Sequence, residues 1–364
     1  MWPESSETPK KLKTGLTTGS CATACSLVAA RLLLGLSDDL CNQIVSITLP
    51  KSKIVEMPVI DLSINKSSKT ATVATIKDAG DDPDATHGAY LYVELVLIDE
   101  SAIKFVAGLG VGTVTRTGLA LEVGEPAINP IPRKMITEHL LATAKQANYK
   151  YGFKVIINIK NGENIALKTM NPRLGILGGL SILGTSGIVR PFSCAAFIAS
   201  IHQGMDVASA NGLTHISFAT GNQSEQAVKD CHQLSEMAII EMGDFVGAAI
   251  KYLKHHDFER VTFSGGFGKF CKLAQGHLDL HSSRSKMDFN FLSDLMQKLG
   301  ADNELLIKVQ QANTSIEVLN LATQHNLDLV SVIRDLVKDV VIKRSGINNL
   351  NLDVFIVNRK GELL

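Results

Sequence analysis

Between residues 44 and 106 apolar and polar positions alternate in short runs, the period of strands with one buried face. The runs at 44–49, 54–60, 70–76, 90–98 and 103–106 are rich in β-branched and aromatic residues and are predicted as strands. Ahead of them, GLTTGS (15–20) leads into CATACSLVAARLLLG (21–35). Its Thr and Ser oxygens can cap a helix start and Gly35 can end it, so this Ala-rich run is predicted helical. A glycine loop, GLGVGT (108–113), the Pro-rich GEPAINPIPR (124–133) and a helix over about 134–147 complete this half. Strands outnumber helices, which implies an N-terminal α+β domain over 13–150, behind a disordered tail at 1–12.

After residue 151 the rhythm changes to apolar runs that end in glycine turns and lead into helices. A strand is predicted at 153–159. LSILGTSG (180–187) precedes a helix at 193–210, HISFATGN (215–222) a long helix at 224–253, and RVTFSGGFGK (260–269) a helix from 270. Residues 285–345 read as mostly helical and 352–357 as a last strand. Three strand–glycine loop–helix units in series imply a mainly parallel sheet flanked by helices, so 151–364 is expected to be an α/β domain with a helical C-terminal region.

With 36 basic and 36 acidic residues the chain is neutral, which argues against nucleic-acid binding, since that affinity comes from basic surface. A local basic pocket for a polyanion remains compatible with this balance. The six cysteines form no CxxC pair and no zinc spacing, and are expected to be reduced thiols in a cytoplasmic protein. The polar N-terminus lacks an apolar signal core. The most apolar stretch, 174–201, is broken by Arg190, Pro191 and several glycines, so no membrane span is expected.

The densest chemistry is KDAGDDPDATHG (77–88), with four aspartates and a histidine in a loop between two predicted strands. Clustered carboxylates repel one another unless cations or amides balance them, so the loop has a task beyond connection. It fails the calcium-loop spacing. In parallel α/β folds ligands sit beyond the carboxyl ends of strands, where glycines let backbone approach them. Gly184, Thr185, Ser186 and Gly187, then Thr220, Gly221 and Asn222, then Gly265, Gly266 and Gly268 form three such loops, expected on one sheet edge and suited to an adenine-nucleotide-like ligand. None is a P-loop. Lys269 and Lys272 follow the third loop. Arg133, Arg173 and Arg190 adjoin apolar Pro- or Gly-containing sequence and need anionic partners, either internal or a substrate carboxylate. His277 and His281 lack a third ligand at a convincing spacing, so no protein metal site is expected.

With these blocks in view, the chain resembles the cobalt-precorrin-5B C1-methyltransferase family of anaerobic cobalamin biosynthesis (CbiD-like). The likeness runs from about residue 13 to beyond 287. It rests on TGLTTGSCATA, KDAGDDPDATHGA, GVGTVTRTGL, VGEPAINPIPR, NPRLGILGGLSILGTSGIV and GKFCKLAQG, in that order, followed by His281. The resemblance implies methyl transfer from S-adenosylmethionine to C1 of a cobalt-bearing macrocycle, giving cobalt-precorrin-6A, with the cobalt belonging to the substrate. It implies Asp81, Asp82 and His87 as acid–base candidates and the glycine loops as donor contacts. Thr17, Thr18, Arg133, Arg173, Arg190, Lys269, Lys272 and His281 become contacts to a polycarboxylate corrinoid. Family members often carry Glu where this chain has Arg190, and His where it has Gly266. Neither position therefore holds an obligatory acid or base here. A GHMP-like small-molecule kinase using GLGVGT, and a non-catalytic corrinoid carrier, are the competing readings. The sequence leaves oligomeric state open, a homo-oligomer included.

Overall fold

The alternating runs of the first half become a six-stranded sheet. The computed structural model describes residues 12–364, so residues 1–11 of the expected tail lie outside them. The chain divides into two compact units at Ser193/Cys194.

Unit 1 contains β1 (Gly15–Leu16), α1 (Thr18–Leu33), β2 (Gln43–Leu49), β3 (Lys53–Asn65), β4 (Thr70–Ile76), β5 (Tyr90–Ile98), β6 (Ile103–Ala107) and β7 (Thr113–Val114). These are followed by α2 (Pro130–Gln146), β8 (Gly152–Ile159), α3 (Gly162–Ala166), β9 (Ile176–Leu177) and β10 (Ile188–Val189). The sheet order is β2-β3-β4-β5-β8-β6. Neighbours are antiparallel except β6 and β8, which run parallel. Leu91, Val93 and Leu95 point to the buried face, each worth about 1.5–3 kcal/mol of burial. Helix α1 packs on that face and on α2. Every residue of α1 except Arg31 and Leu33 is buried. Small side chains allow this, and the buried hydroxyls of Thr23 and Ser26 bond back to the carbonyls of Gly19 and Ala22 at 2.8 and 2.7 Å.

The expected boundary at 150/151 is displaced by β8. β6, α2 and β8 form a parallel crossover, which returns the chain to the same sheet, between β5 and β6. The change of rhythm after residue 151 marks this crossover rather than a new domain. The run 180–187 likewise stays in unit 1, where it forms isolated bridges and not a strand of the parallel sheet.

Unit 2 contains α4 (Cys194–Ala210), β11 (His215–Ala219), α5 (Asn222–His232), β12 (Ile239–Glu241), α6 (Val246–Tyr252), β13 (Arg260–Gly266) and α7 (Phe267–Ala274). Then come α8 (Phe289–Lys298), α9 (Asn303–Gln310), α10 (Ser315–Gln324), α11 (Leu329–Ser345) and β14 (Asn351–Val357). All four strands are parallel, in the order β12-β11-β13-β14. Ile216, Phe218, Val261, Phe263 and Ile356 join the helices in one apolar core, while the alternate residue Ser264 bonds to the Ser224 carbonyl of α5 at 2.9 Å. The long helix expected over 224–253 is three elements: α5 stops at Gln233 in a left-handed cap, Ile239–Glu241 forms the edge strand, and α6 follows. A short Ala-Ile-Ile run is equally apolar in a helix or a buried strand, and pairing with β11 decides it. No helix among the described residues is long and apolar enough to cross a membrane.

The insertion of β8 is testable at Gly152, where a Cβ would stand 1.8 Å from the Ala102 carbonyl oxygen. Gly152→Ala is expected to cost about 1–3 kcal/mol, read as a lower urea midpoint. An unchanged midpoint would remove residue 152 from this sheet.

Candidate active site

Three sequence blocks far apart in the chain meet at the start of α1. The Leu16 amide donates to the Asp78 carbonyl at 2.8 Å, and the Asp81 amide to that of Lys13 at 3.0 Å. On the other side Gly15 and Leu16 pair with Val189 and Ile188. The backbones are so close that a Cβ on Gly15 would stand 2.1 Å from the Ala79 carbonyl carbon. The turn into α1 extends the stitching. Thr17 Oγ1 accepts from the Ser20 amide as the N-cap. Thr18 Oγ1 accepts from the Leu183 amide at 2.9 Å, and Ser20 Oγ donates to the Gly187 carbonyl at 2.7 Å.

Two expectations change here. Thr17 and Thr18 spend their hydroxyls on the fold. The Gly184–Thr185–Ser186–Gly187 loop belongs to this site in unit 1 and not to the edge of the parallel sheet. Thr185 and Ser186 are exposed on it.

The acidic loop resolves its four carboxylates separately. Asp78 meets Lys13 Nζ at 2.6 Å and the Gly80 amide at 2.8 Å, and these bonds hold it below the usual carboxylate range. Asp81 Oδ2 accepts from the Lys13 amide at 2.6 Å, a structural role. Asp84 Oδ2 lies 2.6 Å from Nζ of Lys77, whose side chain is 2% exposed. Burial pushes the Asp84 carboxyl up, but Lys77 and the Thr86 hydroxyl and amide outweigh it and hold it below its ordinary value. Asp82 reaches furthest along the chain, its Oδ1 accepting from the Phe192 amide at 2.9 Å. Phe192 holds a φ of +55°, unusual for a bulky residue. Asp82 Oδ2 accepts no hydrogen bond among the described residues.

His87 Nδ1 accepts from the Ala79 amide at 3.1 Å, so the ring proton of the neutral imidazole sits on Nε2. Asp82 and His87, both on this loop, thus each accept from a single backbone amide. Burial pushes the Cys21 thiol to about 12, which removes it as a nucleophile. Beside β1 lies a hollow of about 320 Å³ lined by Thr14, Leu16, Lys53, Glu56, Asp78 and Ile188, among others.

The cationic candidates separate. Arg133 donates to the Ile128 and Pro126 carbonyls and to Glu125, at 2.7, 3.2 and 3.0 Å, so it braces the GEPAIN segment. Arg173 is half-buried, and Arg190 is exposed just past β10. In GLGVGT, the amides of Gly108, Leu109, Val111 and Gly112 all donate internally, which removes the phosphate cradle a kinase would need.

In unit 2 the chain leaves β11 for β12 on one side and returns at β13 on the other, so the carboxyl ends of β11 and β13 form a topological switch point. Thr220, Gly221 and Asn222 lead into α5 there, and Gly265 and Gly266 end β13. Space is open where side chains on Gly221 and Gly266 would stand. Gly265 and Gly268 are packing glycines, with Cβ positions 2.6 Å from Phe270 and 2.7 Å from Ser315. Lys269 Nζ donates to the Thr220 carbonyl at 3.2 Å and pairs with Asp244 at 3.1 Å. Lys272 donates to the Leu280 carbonyl, and exposed His281 bonds to Ser283, so neither is shown at this crevice.

Lys77 and Asp244 were not anticipated. The lone cation beside four aspartates was the available signal for Lys77, whereas Asp244 had none. His215, His232 and Asp353 also converge, with ligand atoms within 4.8 Å. Burial lowers both imidazole pKa values. Arg260 already holds Asp353 at 2.6 Å and Thr262 meets His215 at 2.8 Å, so the group forms a polar network under α5.

The family model described as CbiD matches residues 5–191, and that described as CbiD, C-terminal domain, matches 279–364. A cobalt-precorrin-5B C(1)-methyltransferase of Marinomonas sp. (strain MWYL1) is 54% identical, with 100% of this chain and 96% of that protein covered. The protein of the same name from Pseudomonas putida (strain W619) is 53% identical over 100% and 98%. That of Paraburkholderia phytofirmans (strain DSM 17436 / LMG 22146 / PsJN) is 50% identical over 100% and 99%. A 1.9 Å crystal structure of a cobalamin biosynthesis protein (cbiD) from Archaeoglobus fulgidus is 24% identical, covering 75% of this chain and 83% of that one, with a TM-score of 0.39.

Asp84→Asn leaves the Lys77 ammonium buried without its counter-charge and is expected to cost about 3–5 kcal/mol at neutral pH. Because the folded Asp84 pKa is depressed, its contribution is complete above the ordinary 3.8 and is lost as pH falls through the lower folded value. Denaturant titrations should thus show a constant gap between wild type and variant above about 3.8, narrowing as pH falls from there through the lower folded value. A gap that widens with acid would contradict the pairing.

Proposed function

The chain belongs to the CbiD family, and from that membership we propose that it transfers a methyl group from S-adenosylmethionine to C1 of cobalt-precorrin-5B, giving cobalt-precorrin-6A. The observation that carries this reading is full-length identity of at least 50% with proteins named for that methyl transfer. The donor supplies a methyl group on a sulfonium cation.

The unit 2 crevice fits such a donor. Gly221 and Gly266 leave room for a nucleoside, and the Lys269–Asp244 pair offers both charge signs to a zwitterionic amino-acid group. Thr220 and Asn222 flank this opening, while Gly265 and Gly268 shape its floor by close packing.

In unit 1, Asp82 keeps one oxygen fixed by Phe192 and presents the other to a ligand, so the loop can hold or take a proton on the macrocycle without reorganising. His87 Nε2–H is the complementary donor. Arg173 and Arg190 are assigned to carboxylates of the corrinoid, the cobalt being part of that substrate. Six free thiols, three of them buried, suit a reducing cytoplasm.

Asp82→Asn should lower turnover by at least about tenfold, or roughly 1.4 kcal/mol of barrier, with an unchanged melting curve. Wild-type turnover in that variant would remove the loop from the chemistry. Arg190→Ala should raise KM for the corrinoid and leave KM for the donor in place; an equal rise in both would make Arg190 structural.

A further inference from the structure

β12 ends level with β11: Ala219 and Glu241 are register partners, so Glu241 stands on the same carboxyl edge as Gly221. Ile239 and Ile240 before it are buried, whereas Glu241 is exposed and its carboxylate makes no hydrogen bond or ion pair among the described residues. Packing therefore gives no reason for an acid there. The chain then turns at Gly243, whose φ is +56°, and reaches Asp244, which is already engaged by Lys269. The crevice edge thus carries two acids, one neutralised within the protein and one not.

In a doubly wound sheet, an acid at the end of the strand next to the glycine-loop strand, about twenty residues past the glycines, is placed to accept the hydroxyls of a nucleoside ribose. Glu241 has this placement relative to Gly221. We propose that Glu241 accepts hydrogen bonds from the ribose hydroxyls of the donor's adenosine and makes the crevice selective for ribonucleosides. This rests on the reading that the donor occupies the unit 2 crevice. A carboxylate can accept both hydroxyls at once through charge-assisted bonds, so loss of one hydroxyl and loss of the acid should not add as independent effects.

Calorimetric titration of S-adenosylhomocysteine and its 2′-deoxy and 3′-deoxy analogues into wild type, Glu241→Gln and Glu241→Ala tests this. Wild type should bind at least one deoxy analogue about 10- to 100-fold more weakly than the parent. Both variants should bind the parent at that weaker level and discriminate little between parent and analogue. Because Glu241 is exposed, their melting curves should match wild type. Wild-type affinity for the parent in both variants, or an undiminished deoxy penalty, would overturn the ribose assignment alone. Absence of S-adenosylhomocysteine binding by wild type would overturn it together with the donor reading beneath it.

Discussion

Unit 1 depends on one close approach, the backbone of Gly15 against that of Ala79. A side chain at residue 15 would stand 2.1 Å from the facing carbonyl carbon, well inside van der Waals contact. Only because that space is empty can residues 13–16 lie between the acidic loop and the 187–189 segment, bonded to both. Lys77 and Asp84 anchor the acidic loop from beneath with an ion pair whose cation is almost wholly buried. The Thr18 and Ser20 hydroxyls tie the start of α1 to the 183–187 segment, and Thr17 caps the helix. Asp82 is then positioned by what surrounds it: its own loop is fixed by Lys77, and its carboxylate by an amide that follows β10.

This arrangement divides the labour among residues that look alike in sequence. Of four neighbouring aspartates, three bond to Lys13 or Lys77 and to nearby amides, and one to the distant Phe192 amide. Of the glycines at the unit 2 crevice, Gly265 and Gly268 permit packing while Gly221 and Gly266 leave space. Arg133 braces a loop, whereas Arg190 stands exposed. Charge and burial, more than residue type, separate structural groups from chemical ones.

The local elements were legible because their signals are local. Alternation marked β2 to β5, and the Thr-rich turn marked α1, although the helix begins at Thr18 and not at 21. What the sequence concealed was long-range. β8 looked like the start of a new domain because a crossover helix precedes it. β12 was hidden in a run that suits a helix equally well, and its hydrogen-bond partner lies across α5. The acidic block stood out by its clustered charge, but the bond from Asp82 to Phe192 spans 110 residues and leaves no trace in either segment. The first glycine loop, 184–187, was misplaced for the same reason: its partners, Thr18 and Ser20, lie over 160 residues earlier.

The central claim is methyl transfer to one carbon of a cobalt-bearing macrocycle. Incubation of the purified protein with cobalt-precorrin-5B and S-adenosylmethionine carrying a ¹³C-methyl group tests it most directly, with carbon NMR of the product. The account predicts a single labelled methyl at C1 and one equivalent of S-adenosylhomocysteine per corrinoid. An unlabelled macrocycle, or label on another carbon, would contradict it.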